Sequence, residues 1–592
     1  MRFRFALLAP HLALVCTLLA MAGLMSWGSR DDSPTEDELT HLVRGIAYWQ
    51  APDTRLSYGH PALGNAWTAL PVAFDADNPR IEKLNGWKTA TAAKVTKAYV
   101  EKDYGRAREQ LMRARMAPMA LGLLLVTYLF YWSRAIFGLR TALAVTLFTA
   151  FNPVVIAQCR YVTTDPAAMI GFVIGVGEFV RYLRGGRFSI WLMPLGLALG
   201  LLTKYSGMVL IPFALVTGVA VCAAARGRFQ GLAARPRWLE LAKHMAIAAG
   251  VITLAINVTY KFNDTGLTVG QILDKPEPQY WVSSRYDDLM ERFTPLPKLP
   301  RSLRVPIPYT YLFGIAGIRG HTTSGFTSYF WGRRITKAPV TYFPVLLAIK
   351  NPPGELAFLL AGAALVAWRR RIRLETGAVL SAAVVFLLVA SRSNLAMGVR
   401  HVLPVVALLG VLAGRSFDKL WELWSRREVR GGLGAVLSTT LLSAVTAGPD
   451  FLGYFNVLAG GRAGGHRISI YGEDWGQDRV KLVKLVKERR LTPLYYDPQT
   501  GTRALEVRYL KLRYSRPRCG MTPERGWLAL HALTYHTRDI AKCYPFIAGK
   551  RPDIEINDHI YLFKIDAPKA APAPQVKPNL GEPEALPDDP QP

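Results

Sequence analysis

The sequence is poor in acidic residues, with 43 Asp and Glu against 72 Lys and Arg in 592 residues and a net charge of +29. In a soluble protein this imbalance would suggest a nucleic-acid partner. Here the basic residues lie mainly in short clusters between apolar runs, where they set the orientation of a membrane protein. We therefore expect no nucleic-acid binding.

Cysteine is also scarce, and clear internal repeats are missing. Of the five cysteines, Cys16, Cys159 and Cys222 fall in or beside apolar runs, where they need only pack as small apolar side chains. The sequence has no solenoid-type repeat, and no inverted repeat is clear enough to indicate a transporter.

What the sequence has in abundance is long uncharged segments. Hydrophobic residues make up 51% of the chain, a value typical of a polytopic membrane protein. Because roughly 20 residues cross the hydrocarbon core of a bilayer, we predict about eleven transmembrane helices. They lie near residues 5–27, 116–135, 141–158, 166–183, 189–203, 206–225, 244–258, 342–368, 375–391, 399–417 and 431–448.

The distribution of basic residues predicts a cytoplasmic N-terminus. Clusters of Arg and Lys recur in every second link between the spans, and the alternate short links hold one or two cations each. Residues 28–115, residues 259–341 and everything after Pro449 then lie outside the cytoplasm. The first span contains a signal-peptidase-like site at residues 20–22, but its apolar run is longer than that of a signal peptide, which favours an uncleaved anchor.

Composition divides the chain into three parts. Residues 1–449 form the predicted transmembrane domain, with two long outer loops, 28–115 and 259–341. Residues 450–566 alternate helix and strand patterns, which predicts a small extracytoplasmic α/β domain. Residues 567–592 are dominated by prolines, alanines and acids, which predicts a disordered tail.

Two local expectations concern the polar regions. Both outer loops are rich in aromatics and amphipathic stretches, so we expect them to be folded, and residues 88–116 read as one helix with few breakers. Cys519 and Cys543 lie in the predicted outer domain, an oxidising compartment, which favours a disulfide between them.

The stretch PTEDELTH, residues 34–41, places three carboxylates at the outer end of the first span. Thr35 and Glu38 have the spacing of a capping box, so Glu38 could do no more than cap a helix. Continuing that helix puts Asp37, His41, Arg44 and Tyr48 on one face. The alternative interpretation is a solvated, capped helix without chemistry.

More polar residues fall at the same predicted membrane face. Asp165 opens the fourth span, with Thr164 as a possible cap and Pro166 as its first helical residue, an arrangement that N-caps also produce. Lys204, Lys350 and Arg400 interrupt apolar segments near the outer interface, where each could simply snorkel to the headgroups. Carboxylates and cations that converge at one face instead indicate a site that binds an anionic headgroup and takes a proton from a neighbouring molecule.

The chain resembles the GT-C class of glycosyltransferases, specifically the protein-mannosyltransferase-like family 39, which uses lipid-phosphate sugars. The pieces that carry the resemblance occur in the family's order from residue 30 to about 490: DELTHLVRGIAYW, GHPALGNAWTALPV, VTTD, LGLALGLLTKYSGMVLIP, YFPVLLAIKNPP, GVRHVLPVVALLGVLAG and YFNVLAGG followed by GEDWGQD. The chain departs from the family at Ala62, where a second proline is common, and at His401, where an aromatic is common. The GEDWGQD segment resembles one bacterial branch; its function is open, and Asp478 could simply cap the helix that follows.

The resemblance implies a GT-C fold and transfer of a sugar from a polyprenyl-phosphate carrier to an acceptor hydroxyl, with inversion at the anomeric carbon. An alcohol needs a carboxylate to take its proton, and Asp37 is the candidate base. Glu38 and Asp165 are the other candidate catalytic residues. The leaving phosphate needs fixed cations. The donor-binding candidates are His60, Lys204, Lys350 and Arg400, and the acceptor-binding candidates are His41 and Tyr48.

No cofactor is required by this chemistry. The carboxylates and histidines of the candidate site could in principle hold a divalent metal, but no tight spacing of ligands indicates one.

A transporter or flippase of a lipid-linked glycan is the alternative function. Transporters usually carry ionisable residues near the bilayer midplane and repeat symmetry, whereas the charges here lie at one rim beside large loops, which favours the enzyme. The sugar, the carrier's chain length, the acceptor class and the oligomeric state are left open. Since the C-terminal pattern resembles the bacterial branch, we expect an integral protein of a bacterial inner membrane.

Overall fold

A computed structural model describes residues 2–185, 189–223, 229–230, 238–278, 286–470, 472–498, 502–521 and 523–566. The predicted tail, residues 567–592, lies outside the described residues.

In the first half of the chain, the described elements are helices and one two-residue strand. Its elements are α1 (Arg2–Ser29), α2 (Glu38–Gln50), α3 (Ala62–Ala69), α4 (Ala92–Lys102), α5 (Tyr104–Ala114), α6 (Met116–Phe137), α7 (Leu139–Ala150), α8 (Pro153–Gln158), α9 (Asp165–Leu183), α10 (Ser189–Thr203), α11 (Leu210–Ala223), β1 (Phe229–Gln230), α12 (Trp238–Thr259), α13 (Val269–Leu273) and α14 (Leu289–Phe293).

The second half adds further long helices and then a sheet. Its elements are α15 (Tyr309–Ser324), β2 (Ser328–Phe330), β3 (Arg333–Ile335), α16 (Tyr342–Lys350), α17 (Pro353–Arg369), β4 (Ile372–Arg373), α18 (Leu374–Ser391), α19 (Leu403–Leu423), α20 (Arg427–Ala447), α21 (Gly461–Gly465), α22 (Arg479–Glu488), β5 (Leu494–Tyr496), α23 (Thr502–Tyr509), β6 (Gly526–His531), α24 (Ala532–Thr537), α25 (Ile540–Cys543), β7 (Ile554–Ile556) and β8 (Ile560–Ile565).

Among the described residues, eight helices are long and apolar enough to cross a membrane, and Leu139–Ala150 and Ser189–Thr203 are shorter apolar helices. Large apolar side chains are exposed along these helices: Leu8 in α1, Leu215 in α11 and Leu442 in α20 are 64%, 52% and 60% exposed. Such surfaces need lipid around them. The prediction of a polytopic α-helical membrane protein is confirmed, with fewer full-length spans than the eleven expected.

Two predicted spans are interrupted in the structure. The run 141–158 breaks between α7 and α8, where Asn152 caps α8 by accepting a hydrogen bond from Val154 N at 3.0 Å and Pro153 follows. The run 342–368 breaks between α16 and α17 at Asn351–Pro352–Pro353. Proline lacks the amide that a continuous helix needs, so both apolar runs divide into shorter helices.

The two long outer loops fold together into one helical lobe. Buried side chains of residues 39–114, among them Val95, Tyr99 and Leu111, share a hydrophobic cluster with Ile272 and Phe313 of the second loop. The prediction of one helix over 88–116 is wrong in detail. Asp103 has an extended backbone and caps α5 through Arg106 N at 3.0 Å, which separates α4 from α5.

The C-terminal part contains a four-stranded sheet in the order β5-β6-β8-β7. Strands β5 and β6 pair in parallel through Tyr495 and Leu528, whereas β8 is antiparallel to both β6 and β7. Helix α22 packs its buried Leu482, Val483 and Val486 into the same apolar cluster as β5 and β8. This small sheet with flanking helices confirms an α/β C-terminal domain.

A covalent link joins the loop after α23 to the end of α25. Cys519 and Cys543 form a disulfide. Gly520 N also donates to Cys543 O at 2.9 Å, so the backbone is joined at the same point.

The C-terminal domain docks on the short segment between α1 and α2. Ser33 N donates to Gln477 O at 2.8 Å, Val480 N donates to Ser33 Oγ at 2.9 Å, and Arg479 donates to Pro34 O. From the opposite side, Arg160 binds the Asp32 carboxylate at 3.1 Å. Residues 32–34 are therefore held between the membrane helices and the C-terminal domain just before α2 begins.

Candidate active site

Glu38 anchors the start of α2. Its carboxylate accepts hydrogen bonds from Arg115 Nε at 2.9 Å and Nη2 at 2.7 Å, from Val162 N at 2.9 Å and from Thr35 N at 2.8 Å. The bond from Thr35 is half of the predicted capping box, but α2 begins at Glu38 and its N-cap residue is Asp37. The completely buried Glu38 thus fixes the position of its neighbour Asp37.

Asp37 projects into a cavity and forms an ion pair there. Arg400 Nη1 donates to Asp37 Oδ2 at 2.9 Å, and the Asp37 side chain is 45% exposed. Burial by the surrounding protein raises the pKa of Asp37, but the positive charge of Arg400, joined at acidic pH by that of protonated His41, outweighs burial, so the pKa lies below its usual value. Asp37 is therefore ionised at neutral pH.

A second ion pair joins Asp165 and Lys204 across the cavity. Asp165 is the first residue of α9 and directly follows Thr164. Pro166 is therefore the second residue of this helix, whereas the sequence predicted it as the first. Lys204 directly follows α10, where the backbone turns into a short 3-10 helix over Tyr205–Val209. The end of α10 thus brings the cation to the start of α9.

Two histidines lie between these ion pairs. The His41 and His60 rings are 4.9 Å apart, His41 Nδ1 is 2.8 Å from Asn65 Oδ1, and His60 Nδ1 is 3.1 Å from Thr164 Oγ1. Burial lowers the pKa of both histidines, and for His60 the nearby charges of His41, Lys204 and Arg44 lower it further. Both rings are neutral at pH 7.

A cavity of about 1000 Å³ connects these groups. Its polar wall includes Asp37, His41, His60, Asp165, Lys204 and Arg400, all from the predicted set. Its apolar wall is formed by side chains of α11, α16 and α18 and the loop after α18: Pro212, Phe343, Phe386, Val389, Leu395 and Met397. Val389 in this wall is 48% exposed.

Three predicted site residues do not line this cavity. Glu38 is enclosed by its Arg115 pair, and Tyr48 lies near the end of α2, where Lys261 Nζ is 4.8 Å from its ring centre. Lys350 is the last residue of α16. It pairs with Glu473 and donates to Leu452 O at 3.1 Å, and these two contacts join the membrane helices to the C-terminal domain. Each of these three side chains makes a structural contact, and its assignment to catalysis or substrate binding stays a prediction.

The C-terminal domain contributes residues that the sequence did not assign. Asp474 and Trp475 of the GEDWGQD segment and His531 at the end of β6 line the cavity. The Arg400 guanidinium lies 4.4 Å from the centre of the Trp475 ring, and His531 Nδ1 is 3.1 Å from both Asp474 carboxylate oxygens. The motif itself was visible in the sequence, but nothing in its pattern indicated that it reaches Arg400.

Gly472 allows this segment to approach Arg400. Its φ is +92°, and a Cβ there would lie 2.9 Å from Gly398 Cα and 3.0 Å from Met397 O. A glycine is therefore needed both for the backbone conformation and for the close packing against the residues that precede Arg400.

Among the described residues, no three His, Cys, Asp or Glu side chains are grouped as ligands for a metal ion. That the chemistry requires no cofactor stays a prediction.

The family described as dolichyl-phosphate-mannose-protein mannosyltransferase matches residues 90–259. Asp165 and Lys204 lie inside the matched segment, whereas Asp37, His60 and Arg400 lie outside it. A comparison with curated proteins found no match.

Solved structures of two proteins are similar to this chain. ArnT from Cupriavidus metallidurans bound to undecaprenyl phosphate has 14% identity and a TM-score of 0.43, over 96% of this chain and 100% of that chain. The archaeal oligosaccharyltransferase AglB from Archaeoglobus fulgidus, in complex with an inhibitory peptide and a dolichol-phosphate, has 13% identity and a TM-score of 0.45, over 87% of this chain and 60% of that chain. At these identities the function of each residue has to be argued from this chain alone. The family match over residues 90–259 confirms the resemblance to the GT-C glycosyltransferases that use lipid-phosphate sugars.

Proposed function

We propose that this protein transfers a sugar from a polyprenyl-phosphate carrier to an acceptor hydroxyl, with inversion at the anomeric carbon. The observation that carries the proposal is the cavity itself. One wall brings two carboxylate–cation pairs together, Asp37–Arg400 and Asp165–Lys204, and the opposite wall is apolar. A lipid-linked phosphate ester needs both kinds of surface in one place.

Asp37 acts as the general base in this proposal. Its Oδ2 is held by Arg400, and among the described residues no donor contacts Oδ1. An acceptor hydroxyl can therefore donate to Oδ1 and lose its proton there as its oxygen bonds to the anomeric carbon. A carboxylate that is ionised at neutral pH and partly open to the cavity meets this requirement.

Asp165 and its neighbours orient the substrates. Asp165 is 4% exposed and holds Lys204, while Lys204 and Arg400 supply positive charge for the donor phosphate. The neutral His60 and His41 can exchange hydrogen bonds with sugar or acceptor hydroxyls. The prenyl chain would lie along α11 and α18, where the exposed Val389 lines the cavity.

The cavity lies at one end of the helix bundle and clusters of basic residues lie at the other, which supports an outer active site. Helix α9 begins in the cavity at Asp165, and past its other end Arg184 lies 3.4 Å from Glu375 at the start of α18. Basic residues of the links predicted to be cytoplasmic gather at that far end, for example Arg140 with Asp418. By the positive-inside rule the far end faces the cytoplasm, and the cavity and C-terminal domain face the outside of a bacterial inner membrane.

The test uses purified protein in liposomes with a panel of radiolabelled undecaprenyl-phosphate sugars and a membrane extract as the acceptor source. We expect cleavage of the sugar–phosphate bond of one donor, with label transferred to an acceptor and with inverted anomeric configuration by NMR. Movement of intact labelled lipid across the bilayer without cleavage would instead establish the flippase.

A further inference from the structure

Arg44 is a buried cation in the cavity that the proposed mechanism has not used. It lies on α2, one turn after His41, is 8% exposed, and lines the cavity beside His60. Its guanidinium packs on the backbone of Gly59: a Cβ at Gly59 would lie 2.6 Å from Arg44 Nη1. The Tyr58 ring, with its centre 5.6 Å from the guanidinium carbon, supports it on the same side.

Arg44 has no counter-ion within the described part of the chain. No carboxylate lies within ion-pair distance, no described group accepts a hydrogen bond from it, and its Nε is buried without a partner. Burying the N–H of Nε without a partner is costly, because that group loses its hydration. Such a group is stable in a site that an anion fills.

The cavity has three other cations: Arg319 is exposed to solvent, and the remaining two differ from Arg44 in this respect. Lys204 is paired with Asp165, and Arg400 is paired with Asp37. Each of these pairs is neutral as a unit, and the reaction needs both carboxylates in place. Arg44 therefore supplies a buried positive charge that neither of these carboxylates balances.

We infer that Arg44 binds the phosphate of the lipid-linked donor and stabilises the charge that this phosphate gains when the sugar leaves. This inference rests on the proposed function. In the transfer, the acceptor oxygen bonds to the anomeric carbon, its proton goes to Asp37, and the bond between that carbon and the phosphate oxygen breaks with its electron pair left on the oxygen. A phosphodiester with one negative charge thus becomes a phosphate monoester with two. An unbalanced guanidinium with a planar fork of donors fits this change.

The test compares binding of three probes to wild type, Arg44→Gln and Arg44→Lys in detergent: undecaprenyl phosphate, uncharged undecaprenol and inorganic phosphate. We expect Arg44→Gln to bind undecaprenyl phosphate about 10- to 100-fold more weakly, the range for a lost hydrogen bond between charged groups, with undecaprenol binding unchanged. Arg44→Lys keeps the charge without the fork and should fall between. Inorganic phosphate should compete with undecaprenyl phosphate in wild type and lose that ability in Arg44→Gln.

The matched control is Arg113→Gln, which removes one positive charge from the same lobe at a site 44% exposed and paired with Asp75. Equal affinity of wild type and both Arg44 variants for undecaprenyl phosphate would overturn the inference and leave the proposed function standing. A loss that is equal for undecaprenol and undecaprenyl phosphate would also overturn it, because it would reveal a packing defect. Failure of wild type to bind undecaprenyl phosphate any better than undecaprenol would remove the proposed donor class and the inference with it.

Discussion

Asp37 and Glu38 are adjacent carboxylates with opposite surroundings. Glu38 is completely buried and binds Arg115 and two backbone amides, whereas the Asp37 side chain is 45% exposed to the cavity and binds Arg400. Burial raises the pKa of Glu38, but Arg115 lowers it by more, so the pKa lies below its usual value and the group is charged. One residue holds the loop in place, and the other is left available for chemistry.

Removing one partner of the Glu38–Arg115 pair should therefore destabilise the fold. We expect Glu38→Gln to lower the free energy of unfolding by about 3–5 kcal/mol, because Arg115 is left buried without its counter-ion. The midpoint of thermal unfolding in detergent measures this. Combining Glu38→Gln with Arg115→Met should recover part of the loss; a double variant less stable than either single variant would contradict the pairing.

The Asp37–Arg400 pair predicts a change in the pH profile. Arg400 and His41 lower the pKa of Asp37, while burial and Asp165 raise it. Arg400→Gln removes a lowering charge, so the pKa of Asp37 should rise and the acid limb of kcat/KM should move to higher pH. The profile is measured with the donor identified in the panel. An acid limb that stays at the wild-type pH would show that Asp37 does not set it.

At the scale of elements, the segment 472–478 connects the C-terminal domain to the cavity. The Trp475 ring packs against the Arg400 guanidinium. Asp478 precedes α22, which docks on residues 31–34. Segment 472–478 therefore helps to position both Asp37 and its partner cation, Arg400.

Loss of the Trp475 ring should weaken catalysis without unfolding the protein. We expect Trp475→Ala to reduce kcat about 3- to 30-fold, the range for a lost cation–π contact, and Trp475→Phe to reduce it less. Both variants should also move the acid limb toward higher pH, as Arg400→Gln does. A reduced kcat with an unchanged pH profile would assign Trp475 to packing alone.

The pattern of the sequence predicts some elements well and others poorly. Long apolar runs predict the spanning helices because lipid demands apolar length, and KLVKLVKERR and HIYLFKI become α22 and β8 as expected. The breaks at Asn152 and Asn351 were missed because hydropathy does not register a cap or a proline pair. The division of residues 88–116 was missed because Asp103 breaks the helix by capping, which composition alone does not reveal.

Site residues were predictable where several polar groups lie at the same predicted membrane face. Asp37, Asp165 and Lys204 meet because each lies at a helix end that faces the cavity, Asp37 and Asp165 at helix starts and Lys204 just after the end of α10. The direction of Lys350 was not predictable, since its partner Glu473 is 123 positions away in the sequence. A long separation in the sequence likewise hid the approach of Trp475 to Arg400.

At the scale of the whole molecule, a buried polar cluster connects the hairpin of β7 and β8 to the start of α22 and to the segment that follows α20. His559 Nδ1 lies 2.6 Å from Asp478 Oδ2 and 3.8 Å from Asp450 Oδ2. Burial lowers the pKa of His559, but Asp450 and Asp478 outweigh it and raise the pKa to about 9. The protonated histidine therefore stabilises the folded state.

This cluster predicts a loss of stability at alkaline pH. A histidine whose pKa is raised on folding contributes fully below its unfolded value of about 6.5, and the contribution disappears as pH rises through about 9. We expect the thermal midpoint of wild type to fall between these pH values more steeply than that of His559→Gln. Parallel curves for the two proteins would contradict the ion-pair assignment.

The central claim is that Asp37 takes the proton of the acceptor. The most direct measurement compares wild type, Asp37→Asn and Asp31→Asn for binding of undecaprenyl phosphate and for turnover of the identified donor. Asp31 is the control because it carries the same group six residues earlier, on the surface with Lys484, 54% exposed. We predict that Asp37→Asn retains lipid-phosphate binding and loses about 100- to 10,000-fold in kcat, the range for a general base, whereas Asp31→Asn keeps both. Equal turnover in wild type and Asp37→Asn would contradict the account.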